Sequence, residues 1–171
     1  VGAGPAGLAC AVVAAERGHR VTLFEASDRI GGQFNMAKRI PGKEEFHETI
    51  AYFRRQLELK QVDLRLNTTV TAEDLSGFDE VILATGVTPR TPEIEGIGHE
   101  SELGYIDVLQ GGTQVGRRVA IIGAGGIGFD VAEFLGRENA GETEFPTPEA
   151  FARAWGIDMS LQARGGVEGV A

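Results

Sequence analysis

Three glycines at the start of the chain, Gly2, Gly4 and Gly7, satisfy Gly-x-Gly-x-x-Gly. That spacing restricts the possible folds more than any other feature. The first glycine permits a tight turn, the second lets backbone approach a pyrophosphate with no Cβ between, and the third lets a helix pack closely on a strand. Residues 5–17 then read as a helix through Ala6, Leu8, Ala9, Val12 and Val13, with Pro5 suited to its first turn and Gly18 to its stop. The open N–H groups and positive dipole end of such a helix favour an anion. Tight packing alone also calls for a turn of this kind, so the motif by itself leaves both readings open.

Glu25 separates them. Residues 20–25 read as a short buried strand, and Glu25 stands at its end, where a carboxylate accepts both ribose hydroxyls of an adenosine. Ala26 follows it, and Gly31-Gly32 adds a glycine pair where the chain can pass a bulky pyrophosphate or ring system, with Gln33 as a polar contact. Ala84-Thr85-Gly86, between the apolar Val81-Ile82-Leu83 and Pro89, places small residues at a predicted strand end where the chain crosses a bound dinucleotide. The turn then recurs as Gly123-Ala124-Gly125-Gly126-Ile127-Gly128, which predicts a second unit inserted into the first.

The remaining pattern is αβ. Helices are predicted over 43–60, 126–135 and 148–155, the last with Thr147 as N-cap after the loop 145–148, and strands over 62–67, 78–84 and 117–122. Residues 26–42 read as irregular. Only Val1 represents the strand that should precede the first turn, and the chain stops in a glycine-rich stretch, so a fragment of a longer polypeptide is expected, unstable and a poor cofactor binder when isolated. Glycine makes up about 15% of the chain, 25 in 171, roughly twice the usual share, and these turns account for part of the excess.

Composition removes several function classes. With 16 Lys+Arg against 25 Asp+Glu the net charge is −9, which disfavours nucleic acid as a partner. No run approaches the roughly 18 apolar residues of a membrane span, and no secretory signal is evident; a cytoplasmic setting is expected. Cys10 is the only cysteine, so this chain alone forms no internal disulfide, thiolate cluster or redox-active cysteine pair. His19, His47 and His99 stand isolated in the sequence, and no residue is assigned a catalytic or metal-ligating role.

Taken together, Gly2 to Gly7, Glu25, Gly31-Gly32, Ala84-Thr85-Gly86 with Pro89, and Gly123 to Gly128 resemble the FAD and NAD(P)H modules of the two-dinucleotide-binding flavoproteins. More narrowly, the stretches 32–46, 123–132, 155–159 and 164–170 resemble the bacterial NADPH-dependent 2,4-dienoyl-CoA reductase family. The resemblance implies an α/β fold: a Rossmann-like FAD-binding domain over 1–115, its first strand mostly missing, and the beginning of a Rossmann-like NAD(P)H-binding domain over 116–171. It implies FAD contacts at Gly2, Gly4, Pro5, Ala6, Gly7, Glu25, Ala26, Gly32, Gln33, Ala84, Thr85 and Gly86, with Val70 near the adenine and Lys43 a weaker candidate. Gly123, Gly125, Gly126, Ile127 and Gly128 would cradle NADPH. The same resemblance implies FMN, a four-iron four-sulfur cluster and an unsaturated acyl-CoA substrate in an upstream barrel. A related barrel-linked flavoprotein, such as an amine dehydrogenase or another enoate reductase, and a non-catalytic FAD-binding module both stay open. The residue that reads the ribose 2′-position is expected past Ala171, so NADPH in preference to NADH rests on the resemblance alone.

Overall fold

The computed structural model describes residues 1–140, 147–154 and 156–167. Its elements are α1 (Pro5–Glu16), β1 (Thr22–Phe24), α2 (Phe34–Ala37), α3 (Phe46–Leu59), β2 (Asp63–Arg65), α4 (Tyr105–Gln110), α5 (Gly126–Ala140) and α6 (Pro148–Ala154). Two compact units result, Val1–Phe134 and Leu135–Ala171.

In the first unit β1 and β2 pair in parallel, Thr22 with Asp63, Leu23 with Leu64 and Phe24 with Arg65. A parallel pair needs a long crossover, and α2 and α3 lie within it. The hydrogen-bonded layer continues beyond these two strands. Gly2 N–H donates to Phe24 O at 2.8 Å, Ala84 N–H to Val1 O at 2.8 Å and the Val1 ammonium to Ile82 O at 2.7 Å. Four stretches of backbone, 82–84, 1–2, β1 and β2, are thereby linked in sequence.

The core explains why α1 and α3 are helices despite opposite compositions. α1 is apolar nearly throughout, and Leu8, Ala11 and Val12 bury against Leu23 and Ile30. α3 is amphipathic: the 3- and 4-residue spacing of Ile50, Phe53 and Leu57 puts all three on one face toward the core, while Glu48, Arg54, Arg55 and Glu58 are exposed. Leu8 and Ile30 are essentially inaccessible; each such side chain contributes about 1.5–3 kcal/mol of transfer free energy. Gly18, at φ +90°, ends α1 as anticipated, with its N–H on Ala15 O.

Two predicted strands are corrected. Residues 78–84 form no strand: among the described residues the backbone of 82–84 hydrogen-bonds Val1 only, and two hydrogen bonds to one residue make no ladder. Val81, Ile82 and Leu83 are exposed in consequence. Residues 117–122 form none either, because no described stretch runs alongside, and Ile122 is 82% exposed. The region predicted as irregular, 26–42, contains α2, and α4 appears where no element was expected; four and six residues are too few to display a helical period.

The second unit is described through α6 and residues 156–167. Phe151 N–H donates to Thr147 O, which opens α6 where the Thr147-Pro148 pair predicts. Trp155, residues 145–146 and residues 168–170, all parts of the sequence reading, lie outside the described residues. Ile157 and Val167 form an antiparallel bridge around a turn organised by Asp158. The Asp158 carboxylate accepts the Ser160 hydroxyl and the N–H groups of Ser160 and Ala163. These bonds, the Ser160 hydroxyl foremost, lower its pKa to about 2.

Candidate functional site

The first glycine turn is held by backbone contact so close that side chains are excluded. A Cβ placed on Gly7 would stand 1.8 Å from Gly2 O, and one on Gly2, at φ +99°, would stand 2.4 Å from Ala84 O and 3.2 Å from Thr85 Cα. Residues 84–85 therefore press on the turn itself, a contact that the sequence reading did not anticipate. Gly32 closes the other side: its Cβ would lie 2.9 Å from Gly4 Cα and 3.8 Å from Pro5 Cδ. A Cβ on Gly4 would meet nothing nearer than Gly32 Cα at 4.0 Å. Gly4 thus leaves the open face that a pyrophosphate needs.

Among the described residues no acceptor takes the N–H of Gly4, Ala6 or Gly7, while Leu8 N–H already closes the first helical bond on Gly4 O at 2.9 Å. Pro5 has no N–H to satisfy. Three donors and the positive end of α1 therefore converge beside a surface without side chains, and Ala6 and Gln33 stand exposed at its rim.

Glu25 does more than the sequence suggests. Its Oε2 accepts Ala3 N–H at 2.7 Å, and its Oε1 accepts the Ser27 N–H at 2.9 Å and the Ser27 hydroxyl at 2.8 Å. The carboxylate so joins the end of β1 to the glycine turn. Burial acts to raise its pKa, and the hydrogen bonds from Ser27, Ala3 and Ala26 outweigh that, holding it below the ordinary carboxylate value and charged. Oε2 carries the one Ala3 bond and Oε1 both Ser27 bonds, so Oε2 is the oxygen better placed to accept a ribose hydroxyl. A second hydroxyl would have to displace the Ser27 hydroxyl, which also bonds Arg29 O. Ser27 is a residue that sequence reasoning missed, although its place two positions after Glu25 is a usable signal.

The second turn repeats the first. A Cβ on Gly128 would lie 2.1 Å from Gly123 O, as Gly7 does against Gly2, and Phe129 N–H bonds Gly125 O at 3.1 Å, as Leu8 does Gly4. Gly123 has φ +121°. Gly126, Ile127 and Gly128 bring their N–H groups to the start of α5 without an acceptor among the described residues.

Other predicted residues stand apart from these turns. Ala26 is exposed beyond Glu25, and Gly86, at φ +77°, has open space around it. Val70 is half-buried two residues beyond Thr68, whose N–H bonds Glu25 O. Lys43 is engaged elsewhere: its Nζ meets both carboxylate oxygens of Asp130 on α5 at 2.7 Å. Among the described residues no three His, Cys, Asp or Glu gather as metal ligands, and no helix is long and apolar enough to cross a membrane.

Comparison with known proteins agrees with this geometry. The sequence profile of the family described as pyridine nucleotide-disulphide oxidoreductase matches residues 1–143. The chain is 36% identical over 146 residues to an NADH oxidase of Thermoanaerobacter brockii, covering 82% of this chain and 22% of that protein. It is 36% identical to an N,N-dimethylglycine/sarcosine dehydrogenase of Chromohalobacter salexigens (80% and 20% covered) and 37% identical to a cinnamate reductase of Clostridium sporogenes (79% and 20%). A solved 2-naphthoyl-CoA reductase complex with 2-naphthoyl-CoA superposes with a TM-score of 0.78 at 37% identity, over 81% of this chain and 21% of that one. The chain spans about a fifth of the length of these relatives.

Proposed function

The chain belongs to the pyridine nucleotide-disulphide oxidoreductase family, and from that premise we propose that its first glycine turn holds FAD and its second holds NAD(P)H. The observation that carries this reading is the duplicated turn, with Gly7 against Gly2 O and Gly128 against Gly123 O, and with the Glu25 carboxylate at the end of β1 bonded into the first. The chemistry that FAD would supply when bound is hydride acceptance from reduced nicotinamide. The chain supplies binding and orientation. The N–H groups of Gly4, Ala6 and Gly7 would hold the FAD pyrophosphate, Gly32 would pass it closely, and Glu25 would fix the adenosine ribose. Residues 1–115 would form the FAD part and residues from 116 onward the NAD(P)H part.

The same reading extends to the whole polypeptide as an electron-entry module joined to an FMN barrel with a four-iron four-sulfur cluster, reducing a 2,4-dienoyl-CoA at the expense of NADPH. Its support is the resemblance of residues 32–46 and 123–132 to that reductase family, together with likeness to a reductase solved with an aromatic acyl-CoA. An amine-oxidising relative of the same architecture is the second reading, favoured by the dimethylglycine/sarcosine dehydrogenase similarity. The family's name notwithstanding, a disulfide substrate has no cysteine pair in this chain to serve it.

Anaerobic absorbance of the complete polypeptide that carries this chain tests the reading. NADPH should bleach the flavin, and a 2,4-dienoyl-CoA should restore its colour. Bleaching with no reoxidation by the thioester would discard the substrate, and reduction by dimethylglycine or sarcosine would favour the amine reading. A flavin that neither NADPH nor NADH reduces would point to a non-catalytic module.

A further inference from the structure

Between the end of β1 and the glycine pair Gly31-Gly32, one hydroxyl has a single proton and two acceptors for it. Ser27 Oγ stands 2.8 Å from Glu25 Oε1 and 2.8 Å from Arg29 O. A carboxylate and a carbonyl bring no proton of their own, so the hydroxyl serves one of them at a time. The rest of Ser27 is held: its N–H donates to Glu25 Oε1 at 2.9 Å, and its carbonyl accepts Asn67 N–H at 2.9 Å. Gly31 N–H, donated to Ala3 O at 2.8 Å, ties the residues that follow back to the glycine turn. Rotation about the Ser27 Cβ–Oγ bond therefore decides which acceptor is served.

A hydrogen bond to an ionised group is roughly twice as strong as one between neutral groups, so without a ribose the proton lies toward Glu25. Burial opposes the charge of that carboxylate, and Ser27 N–H, Ala3 N–H and the Ser27 hydroxyl help to outweigh it. Among the described residues no N–H donates to Arg29 O, which is open to the hydroxyl. A ribose hydroxyl arriving at Oε1 supplies the donor that Ser27 gives up, and the Ser27 oxygen need not move.

We propose that the Ser27 hydroxyl is a placeholder for the adenosine ribose, donating to Glu25 Oε1 before the ribose arrives and to Arg29 O afterwards, and that it thereby lowers the affinity for FAD. The inference rests on the assignment of FAD to the first turn, with Glu25 on the ribose. Ser27 is then a positioning residue that keeps the carboxylate aligned and charged until it is used. The consequence runs against the usual one for a deleted hydrogen bond. Removing the hydroxyl takes the stronger bond from the FAD-free protein and the weaker one from the loaded protein, so FAD should bind more tightly.

The test titrates the flavin-stripped complete polypeptide, as wild type, Ser27→Ala and Ser27→Thr, with FAD and with FAD whose adenosine lacks both ribose hydroxyls. Ser27→Ala should bind FAD about three- to tenfold more tightly than wild type, and Ser27→Thr, which keeps the hydroxyl, should match wild type. With the dideoxy analogue all three should bind alike, because no ribose hydroxyl displaces that of Ser27. Equal or weaker FAD binding by Ser27→Ala would overturn the placeholder in favour of a hydroxyl that only orients Glu25. The same gain in Ser27→Thr, or a gain for the analogue as large as that for FAD, would overturn it too. Wild-type protein that binds FAD no more tightly than the analogue would instead strike the assignment of Glu25 to the ribose, and the placeholder with it.

Discussion

Gly7→Ala is expected to leave the complete protein almost without FAD and to lower its thermal stability sharply. In an ordinary helix the change would be favourable, since alanine is preferred to glycine by about 0.8–1 kcal/mol. Here the new methyl would stand 1.8 Å from Gly2 O, with Ala84 Cβ 3.4 Å away on another side. Backbone cannot rotate aside as a flexible side chain can. Either α1 lifts from the sheet, taking Leu8, Ala11 and Val12 from the core, or the turn at Gly2 opens and withdraws from Ala84 and Phe24. Overpacking costs typically about 1–3 kcal/mol and sometimes more, so it exceeds the propensity gain by either route. Both routes also scatter the three N–H groups proposed to hold the pyrophosphate. Flavin content after gel filtration and a thermal melt would check this; wild-type values of both would contradict it.

Glu25→Ala should weaken FAD on the order of a hundredfold, the second largest effect. Hydrogen bonds to a charged group contribute about 1.5–3 kcal/mol each, and the variant loses the carboxylate proposed to hold the ribose together with the acceptor that ties Ala3 N–H into the turn. Glu25→Gln should fall between, because the amide keeps one oxygen but turns a donor toward Ala3 or Ser27. A pH dependence follows from the lowered pKa. For a carboxylate depressed on folding, the stabilisation is complete above its unfolded value, close to 4.5, and is lost as the pH falls through the folded value. The difference in melting temperature between wild type and Glu25→Ala should therefore be steady near neutrality and shrink on acidification below the ordinary carboxylate range. A difference that does not change with pH would show that the charge of Glu25 is immaterial.

The parts of this fold legible in the sequence are those written in short-range signals. The Ile50, Phe53 and Leu57 stripe locates α3, the Pro5 and Gly18 pair brackets α1, and the Gly-x-Gly-x-x-Gly spacing identifies both turns before any coordinate is known. The sequence sets Ala84 beside a bound dinucleotide, whereas its packing on Gly2 is a tertiary contact that only the structure shows. Strands 78–84 and 117–122 do not form because a strand is a property of two paired stretches of backbone, and apolar alternation says nothing of whether a partner is present. Lys43 and Asp130 are 87 residues apart; the sequence gives Lys43 as a weaker FAD candidate and Asp130 no role, and only folding shows that they meet. Glu25 was identified for its reach toward a ribose, whereas its bond to Ala3 N–H is a tertiary contact with no local signature.

The claim on which all of this depends is that the two turns serve different nucleotides, and the Gly128→Ala variant tests it most directly. Its added methyl would lie 2.1 Å from Gly123 O, which should spoil the second turn while Gly2 to Gly7 and Glu25 stay as they are. Flavin content and the NADPH concentration that half-saturates bleaching are measured together on this variant and wild type. The expected result is full FAD with that concentration raised on the order of tenfold or more, as follows from losing about one or two charge-assisted N–H contacts to phosphate. Loss of FAD comparable to that of Gly7→Ala, or bleaching that saturates as in wild type, would contradict the division of labour between the turns.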